Sequence, residues 1–233
     1  MKVYRYDDYI ISQDENTKNS IVAQGYNFYK VDKATFEELF EYDKMEYIRS
    51  ISDNYCGTII MVCTILYTMI MYFIIGDFTL INADIIPATL ILLFNVFLHE
   101  MGHIIFLKLY CKESKIKVGF KFVFIYPAFY VDTSYSYLLP KYKRIAIYLA
   151  GNFMNCLFIL IVSLGFSEIL PYCYLVVSNL LINFIPIVKS DGYYAFITLL
   201  NRTNKKLDEK QEAIDDFVRG LVMFVVLSIL SII

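Results

Sequence analysis

The sequence predicts an all-α polytopic membrane protein with about five transmembrane helices, a β-hairpin-like loop after the second, and a small soluble segment in front. Three observations predict it. Hydrophobic residues make up 58% of the 233 positions and mean hydropathy is +0.53, more apolar content than a soluble domain of this size usually carries. The apolar residues lie in long runs from about Gly57 onward, whereas residues 1–55 are polar and charged. The Lys and Arg residues collect in alternate loops, as they do when one side of a bilayer retains the positive charge. The chain therefore divides into a small cytoplasmic segment, residues 1–55, and a transmembrane region, residues 56–233.

Within the front segment, Tyr26–Val31 reads as a strand. Asp32 reads as an N-cap, and Phe36, Leu39 and Phe40 at i, i+3 and i+4 make a short amphipathic helix behind it. The segment is too short to hold a large core alone. Five spans are expected to follow: Gly57–Ile75, Ile85–Leu109, Ile145–Phe166, Pro171–Val188 with a helix resuming over Tyr193–Leu200, and a short Leu221–Ile233. The stretch Val118–Val131, rich in Phe, Tyr, Val and Ile and broken by Pro127, reads as strand. Strands beside lipid cannot leave open edges in hydrocarbon, so this one belongs at the interface or inside protein.

Lys44 and Arg49 precede the first span. Lys108, Lys112, Lys115, Lys117, Lys121, Lys141, Lys143 and Arg144 follow the second, and Lys189, Arg202, Lys205, Lys206 and Lys210 follow the fourth. The expected location is a multi-pass protein of the cell membrane with its N-terminus in the cytoplasm. The N-terminus lacks a signal peptide's apolar core, so an internal span is expected to direct insertion. Trp is absent, which leaves the 21 tyrosines to supply any interfacial belt. A net charge of −2, with no basic stretch interleaved with aromatics, argues against a nucleic-acid partner. The five cysteines form no CxxC pair and read as small buried hydrophobes.

The chemistry concentrates in His99-Glu100-Met101-Gly102-His103. On a helix, i and i+4 share a face, so two imidazoles at that spacing can hold one metal ion. A Glu after the first His can take a proton from water at that ion, as the general base. The chain has only two histidines, and both are here. Random placement would give this separation with an adjacent Glu in fewer than roughly one chain in a thousand, which outweighs the usual false-positive risk of so short a motif. Ionisable groups within a lipid-length run are costly unless paired or ligating. Zinc is the expected ion, and it needs a third protein ligand. There is no third His, and the carboxylates near spans are Asp84, Asp132, Glu168 and Asp191. Asp84 and Glu168 fall on the opposite side of the bilayer, and depth matches best for Asp191. Gly192 beside it would admit another backbone, and Asn183 and Pro186 before it would unwind the helix.

These residues resemble the site-2 protease family of intramembrane zinc metalloproteases. His99-Glu100-Met101-Gly102-His103 matches HExxH with the frequent Gly before the second His. Asn183-x-x-Pro186-x-x-x-x-Asp191-Gly192 is similar to the segment that supplies the family's third ligand. Ala150-Gly151-Asn152-Phe153-Met154-Asn155 is similar to its Gly-Pro-x-x-Asn. The pieces cover about residues 85–200 in family order. Asn152 stands where Pro is usual, Ser190 where Leu is usual, and Lys189 where the family is often apolar, departures that bear on substrate fit more than on metal binding. Tyr126–Asp132 with Arg144 and Ala150-Gly151 resembles a bacterial subgroup associated with peptide maturation and export.

The resemblance implies that His99, His103 and Asp191 ligate Zn²⁺, that Glu100 acts as base and then acid, and that Asn155 and Asn183 hydrogen-bond the substrate backbone or the oxyanion. Asp132 reads as structural. The implied partners are membrane lipid, a peptide or membrane-protein substrate, and a peptide exporter. A substrate helix must unwind before its peptide bonds can be cut, and Val118–Val131 is expected to receive the unwound segment by strand addition. A reading from another class is an inert metal-binding membrane subunit of a peptide export system, against which Glu100 argues, since such a subunit needs no base. A di-iron oxygenase would need many more histidines than two.

Overall fold

Five short strands open the chain: β1 (Lys2–Tyr6), β2 (Tyr9–Gln13), β3 (Asn19–Gln24), β4 (Asn27–Asp32) and β5 (Glu46–Ser50). They form one antiparallel sheet in the order β4-β3-β2-β1-β5. The computed structural model describes residues 1–13, 19–75, 84–123, 126–184 and 190–200. Two of the hairpins close through two-residue turns, Asp7-Asp8 and Gly25-Tyr26, bracketed by the pairs Tyr6↔Tyr9 and Gln24↔Asn27. Asp7 (φ 49°) and Gly25 (φ 60°) take the left-handed backbone that such tight hairpins require.

Strand alternation gives the sheet two apolar faces. Ile11 and Val22 point to one side and pack with Phe36 and Phe40, residues brought there by α1 (Lys33–Leu39). Asp32 caps that helix, its carboxylate accepting the Thr35 N–H at 2.8 Å. Leu39, expected on the buried stripe, is exposed, because the helix is only two turns long and Phe36 and Phe40 fill the contact. Ile10, Ile21, Ala23 and Phe28 point to the other side and pack on Leu107, Cys111, Tyr135 and Leu138 of the helical region. Polar bonds fasten this docking. Ser12 Oγ donates to Leu138 O at 2.8 Å, Tyr135 OH to Gly25 O at 2.7 Å, and Arg49 to both Tyr110 O and Glu113, each at 2.8 Å.

The helical region holds α2 (Cys56–Ile75), α3 (Ile85–Tyr110), a hairpin of β6 (Val118–Val123) and β7 (Tyr126–Val131), and a 3-10 turn at Ser134–Leu138. It continues through α4 (Lys141–Gly165), a 3-10 stretch at Ser167–Cys173, α5 (Tyr174–Phe184) and α6 (Asp191–Leu199). α4 lies at the centre, packed against α2, α3 and α6. Two-thirds of its most apolar window (67%) is buried, against 28% for α3, so much of α3's apolar surface stays open.

The structure overturns the all-α polytopic expectation. The front segment is a five-stranded sheet, and among the described residues only α3 and α4 are long and apolar enough to cross a bilayer. The apolar stretches Cys56–Tyr72 and Glu168–Phe184 are shorter. Within the described residues the expected fourth span opens as 3-10 turn and continues as the 11 residues of α5, and 185–188 lie outside them. Tyr26–Val31 matches β4, but the other four strands escaped a hydropathy reading because each has five or six residues and both faces of the sheet bury side chains, Ile11 beside Ser12 in β2 and Val22 beside Ala23 in β3. Pro127 does not break its strand. It is the second residue of β7, in register with Phe122. The expected span Leu221–Ile233, Pro186, Lys189, and the basic residues from Arg202 to Lys210 lie outside the described residues.

Candidate metal centre

His99 and His103 stand one turn apart on α3, both buried, facing α4 and the start of α6. Asp191 is the first residue of α6, and Ser190 before it has extended backbone. Two contacts bring it back toward α3. Ser190 Oγ donates to Asn183 O at 2.7 Å, bridging the end of α5 to the start of α6. A Cβ on Gly192 would lie 2.3 Å from the same carbonyl oxygen, so only glycine permits that approach.

The result is a compact set of three ligand atoms. Asp191 Oδ2 lies 2.8 Å from His99 Nε2 and 3.2 Å from His103 Nε2, and the two Nε2 atoms are 3.2 Å apart. A triangle with those sides has a circumradius of about 1.8 Å, close to the roughly 2.0 Å of Zn–N and Zn–O bonds, so the three atoms would fit one zinc ion. The three residues could hold a metal ion. Two neutral imidazoles, the Asp191 carboxylate and the neighbouring Glu100 carboxylate together balance a divalent cation, which suits a buried site.

Each imidazole is oriented from behind. His103 Nδ1 lies 2.8 Å from the backbone carbonyl of Ile147, which can only accept, so the proton sits on Nδ1 and Nε2 keeps its lone pair. His99 Nδ1 faces the Asn155 amide at 3.2 Å. The His99 ring also lies flat on α4. A Cβ on Gly151 would sit 2.4 Å from both His99 Cε1 and Nε2. Gly102, between the two ligands, lets α3 approach α4, since a Cβ there would meet Ala150 O and Met154 Cγ at 2.7 Å.

Glu100 reaches the hairpin. Its Oε2 accepts the Val131 N–H at 2.8 Å. The next N–H, of Asp132, donates the opposite way, to Lys117 O at 2.8 Å. Antiparallel alternation then turns the N–H and C=O of Phe129 to the same outer edge as Val131, where Pro127 has no N–H to waste. A cleft of about 250 Å³ opens beside this edge, lined by Glu100, His103, Asp191, Val131 and Asp132 with Tyr130, Tyr137, Tyr148 and Tyr194. Asp132 lines it while also accepting the Ser134 N–H at 2.9 Å, a turn-forming bond.

Asn155 and Asn183 are not on the cleft wall. Asn155 is fully buried behind His99, and Asn183 donates its amide N–H to Asn152 Oδ1 at 3.3 Å. Asn95, one turn before His99, is also fully buried, with neither amide atom hydrogen-bonded. The sequence carried the letters for these carboxamides but not the placing of Asn155 behind His99. No cysteine belongs to the ligand set. Cys111, Cys156 and Cys173 are buried, while Cys56 and Cys63 are exposed on α2. Burial, reinforced by the Glu113 carboxylate, pushes the Cys111 thiol up to about 12, so it stays protonated.

Arg49 and Arg144 are also held within the fold rather than standing as free loop charges. Arg144 donates to the carbonyls of Ser136, Tyr137 and Leu139 at 3.2–3.3 Å. Arg49 is paired with Glu113.

No family model matches the chain, and no solved structure matches it. A protein of Bacillus subtilis (strain 168) named "Putative peptide zinc metalloprotease protein YydH" is 41% identical over 114 residues, a match covering 46% of this chain and 45% of that protein. The chain thus spans less than half the length of the relative it matches, and over that stretch it is similar to a protein named for zinc and for peptide hydrolysis.

Proposed function

We propose that this protein is a membrane-embedded zinc metalloendopeptidase that hydrolyses a membrane-associated peptide or protein. The observation that carries the reading is the meeting of Asp191 with His99 and His103, 92 and 88 residues before it in sequence, all within about 3 Å of one another, with the Glu100 carboxylate on the adjoining cleft. The named relative supports zinc and peptide chemistry. The open faces of α2 and α3, with Ile60, Leu66 and Ile70 on one and Leu90, Leu93 and Phe97 on the other, support lipid as their solvent, since soluble monomers rarely leave such faces bare.

His99, His103 and Asp191 would hold the zinc ion, which when bound supplies Lewis acidity and lowers the pKa of water at the site. Glu100 is placed to take a proton from water in the cleft as the water oxygen adds to the scissile carbonyl carbon, and to return it to the amide nitrogen as the C–N bond breaks. The Val131 N–H holds one of its oxygens in place and leaves the other for proton transfer. The outer edge of β7 receives an unwound stretch of substrate as a further strand. Phe129 supplies a donor and an acceptor there, so the substrate's backbone groups stay paired while its scissile bond lies over the cleft. The likeness to a protein named a peptide zinc metalloprotease supports a peptide as the substrate, and peptide maturation is the setting proposed on the resemblance of Tyr126–Asp132, Arg144 and Ala150-Gly151.

The test is Glu100→Gln in protein reconstituted with zinc and assayed by mass spectrometry against membrane peptides encoded beside the gene. The variant should retain zinc and lose cleavage by about 10²–10⁴-fold, the worth of general acid–base catalysis. Undiminished cleavage by the variant would remove Glu100 from the chemistry, whereas zinc-loaded wild type that cleaves none of these peptides would end the protease reading and favour an inert metal-binding subunit.

A further inference from the structure

The two ligating histidines are not supported alike. His103 Nδ1 meets a backbone carbonyl, an obligate acceptor. His99 Nδ1 meets the Asn155 amide nitrogen at 3.2 Å, while Asn155 Oδ1 is buried with no hydrogen-bond partner. Asn155 itself is fully buried, so water does not make up the difference at its surface.

The chemistry of an imidazole ligand settles what His99 needs. A neutral ring carries one N–H. The nitrogen facing Asp191 and His103 is Nε2, so ligation through it places the proton on Nδ1. That proton requires an acceptor. Asn155 has both an acceptor and a donor at the end of one rotatable bond. With its nitrogen toward Nδ1 it supports the tautomer protonated on Nε2, which shares its proton with Asp191. A half-turn about Cβ–Cγ exchanges the two amide atoms without moving the chain, and gives the orphaned oxygen its donor.

We infer that Asn155 is a positioning residue that holds His99 in its ligating tautomer by presenting Oδ1 to Nδ1–H. The inference rests on the metal-centre reading above and gives Asn155 a role distinct from substrate or oxyanion contact. It also gives α4 a share in the metal site beyond packing, since Ile147 and Asn155 orient the two rings from one helix, two turns apart.

The experiment measures zinc affinity of the full chain by chelator competition for wild type, Asn155→Asp and Asn155→Leu. Asp can accept but has no amide to donate, and Leu can do neither. The Leu variant should raise the zinc Kd about 10–100-fold, the usual worth of such an outer partner, and the Asp variant should stay within about threefold of wild type or bind tighter. An Asp variant as weak as Leu would overturn the inference, because it would show that the donated N–H matters. An unchanged Leu variant would overturn it too.

If Leu fails to fold, wild type decides by nitrogen NMR. The chain has two histidines, so a ¹⁵N-histidine sample loaded with zinc shows only four ring nitrogens. Both Nδ1 atoms should be protonated, and an unprotonated His99 Nδ1 would refute the proposal. A wild type that binds no zinc at all would instead sink the metal-centre reading beneath it.

Discussion

Gly151→Ala tests the site through a single methyl group. The three heavy atoms nearest to a Cβ at Gly151 all belong to the His99 ring, two at 2.4 Å and one at 2.6 Å. Ordinary carbon contacts begin near 3.5 Å, so ring and methyl must separate by about 1.1 Å. The methyl is fixed to the middle of α4, which is buried around it, whereas the ring turns about two side-chain bonds. The ring therefore yields. Metal sites tolerate displacements of only about 0.2 Å per ligand, so a shift five times larger removes His99 from the set. The zinc Kd should rise by about 10²-fold or more, beyond the 10–100-fold typical of outer-partner losses. If the ring instead holds, the strain falls on the fold as about 1–3 kcal/mol of lost stability. The assay is chelator competition beside thermal unfolding, with Gly165→Ala as control on the same helix, where a Cβ meets nothing within 4 Å. Wild-type zinc affinity and wild-type stability together in Gly151→Ala would refute the placement of His99 against α4.

Asp191→Ala should abolish high-affinity zinc binding by elemental analysis while leaving helix content by circular dichroism unchanged, since Asp191 is the set's only carboxylate. Phe129→Pro removes an outer-edge N–H from β7 and should slow peptide cleavage at unaltered zinc content, whereas unchanged turnover would exclude that edge as the substrate's partner. Ser12→Ala deletes the buried bond to Leu138 O and should cost about 1–3 kcal/mol at the junction of sheet and helices, read as a lower unfolding midpoint. Gly192→Ala forces a methyl to 2.3 Å from the Asn183 carbonyl oxygen and should weaken zinc binding by moving Asp191, without touching either histidine.

The elements legible in the letters are those governed by local geometry. Two histidines four apart on a helix meet whatever the rest of the chain does, and Asp32 caps α1 through a bond three residues long. Asp191 was reachable because few carboxylates lay at a matching depth. Of the sheet only one strand was legible, Tyr26–Val31, which matches β4. The sheet's stability comes from pairing across the chain, as when β1 takes β5 on one side and β2 on the other, and no short strand announces its partner.

What the sequence determined by itself is therefore the inventory: which side chains can ligate, which can move protons, and which helix carries them. Tertiary structure decided their relations. It set Val131 N–H on Glu100 across 31 residues, the Ile147 carbonyl on His103 across 44, Asn155 on His99 across 56, and Asp191 on His99 across 92. Two of those partners are backbone groups that every residue carries. Only the fold chooses which of them stands behind an imidazole or beside a carboxylate, because close packing brings one N–H or C=O into range and excludes the rest.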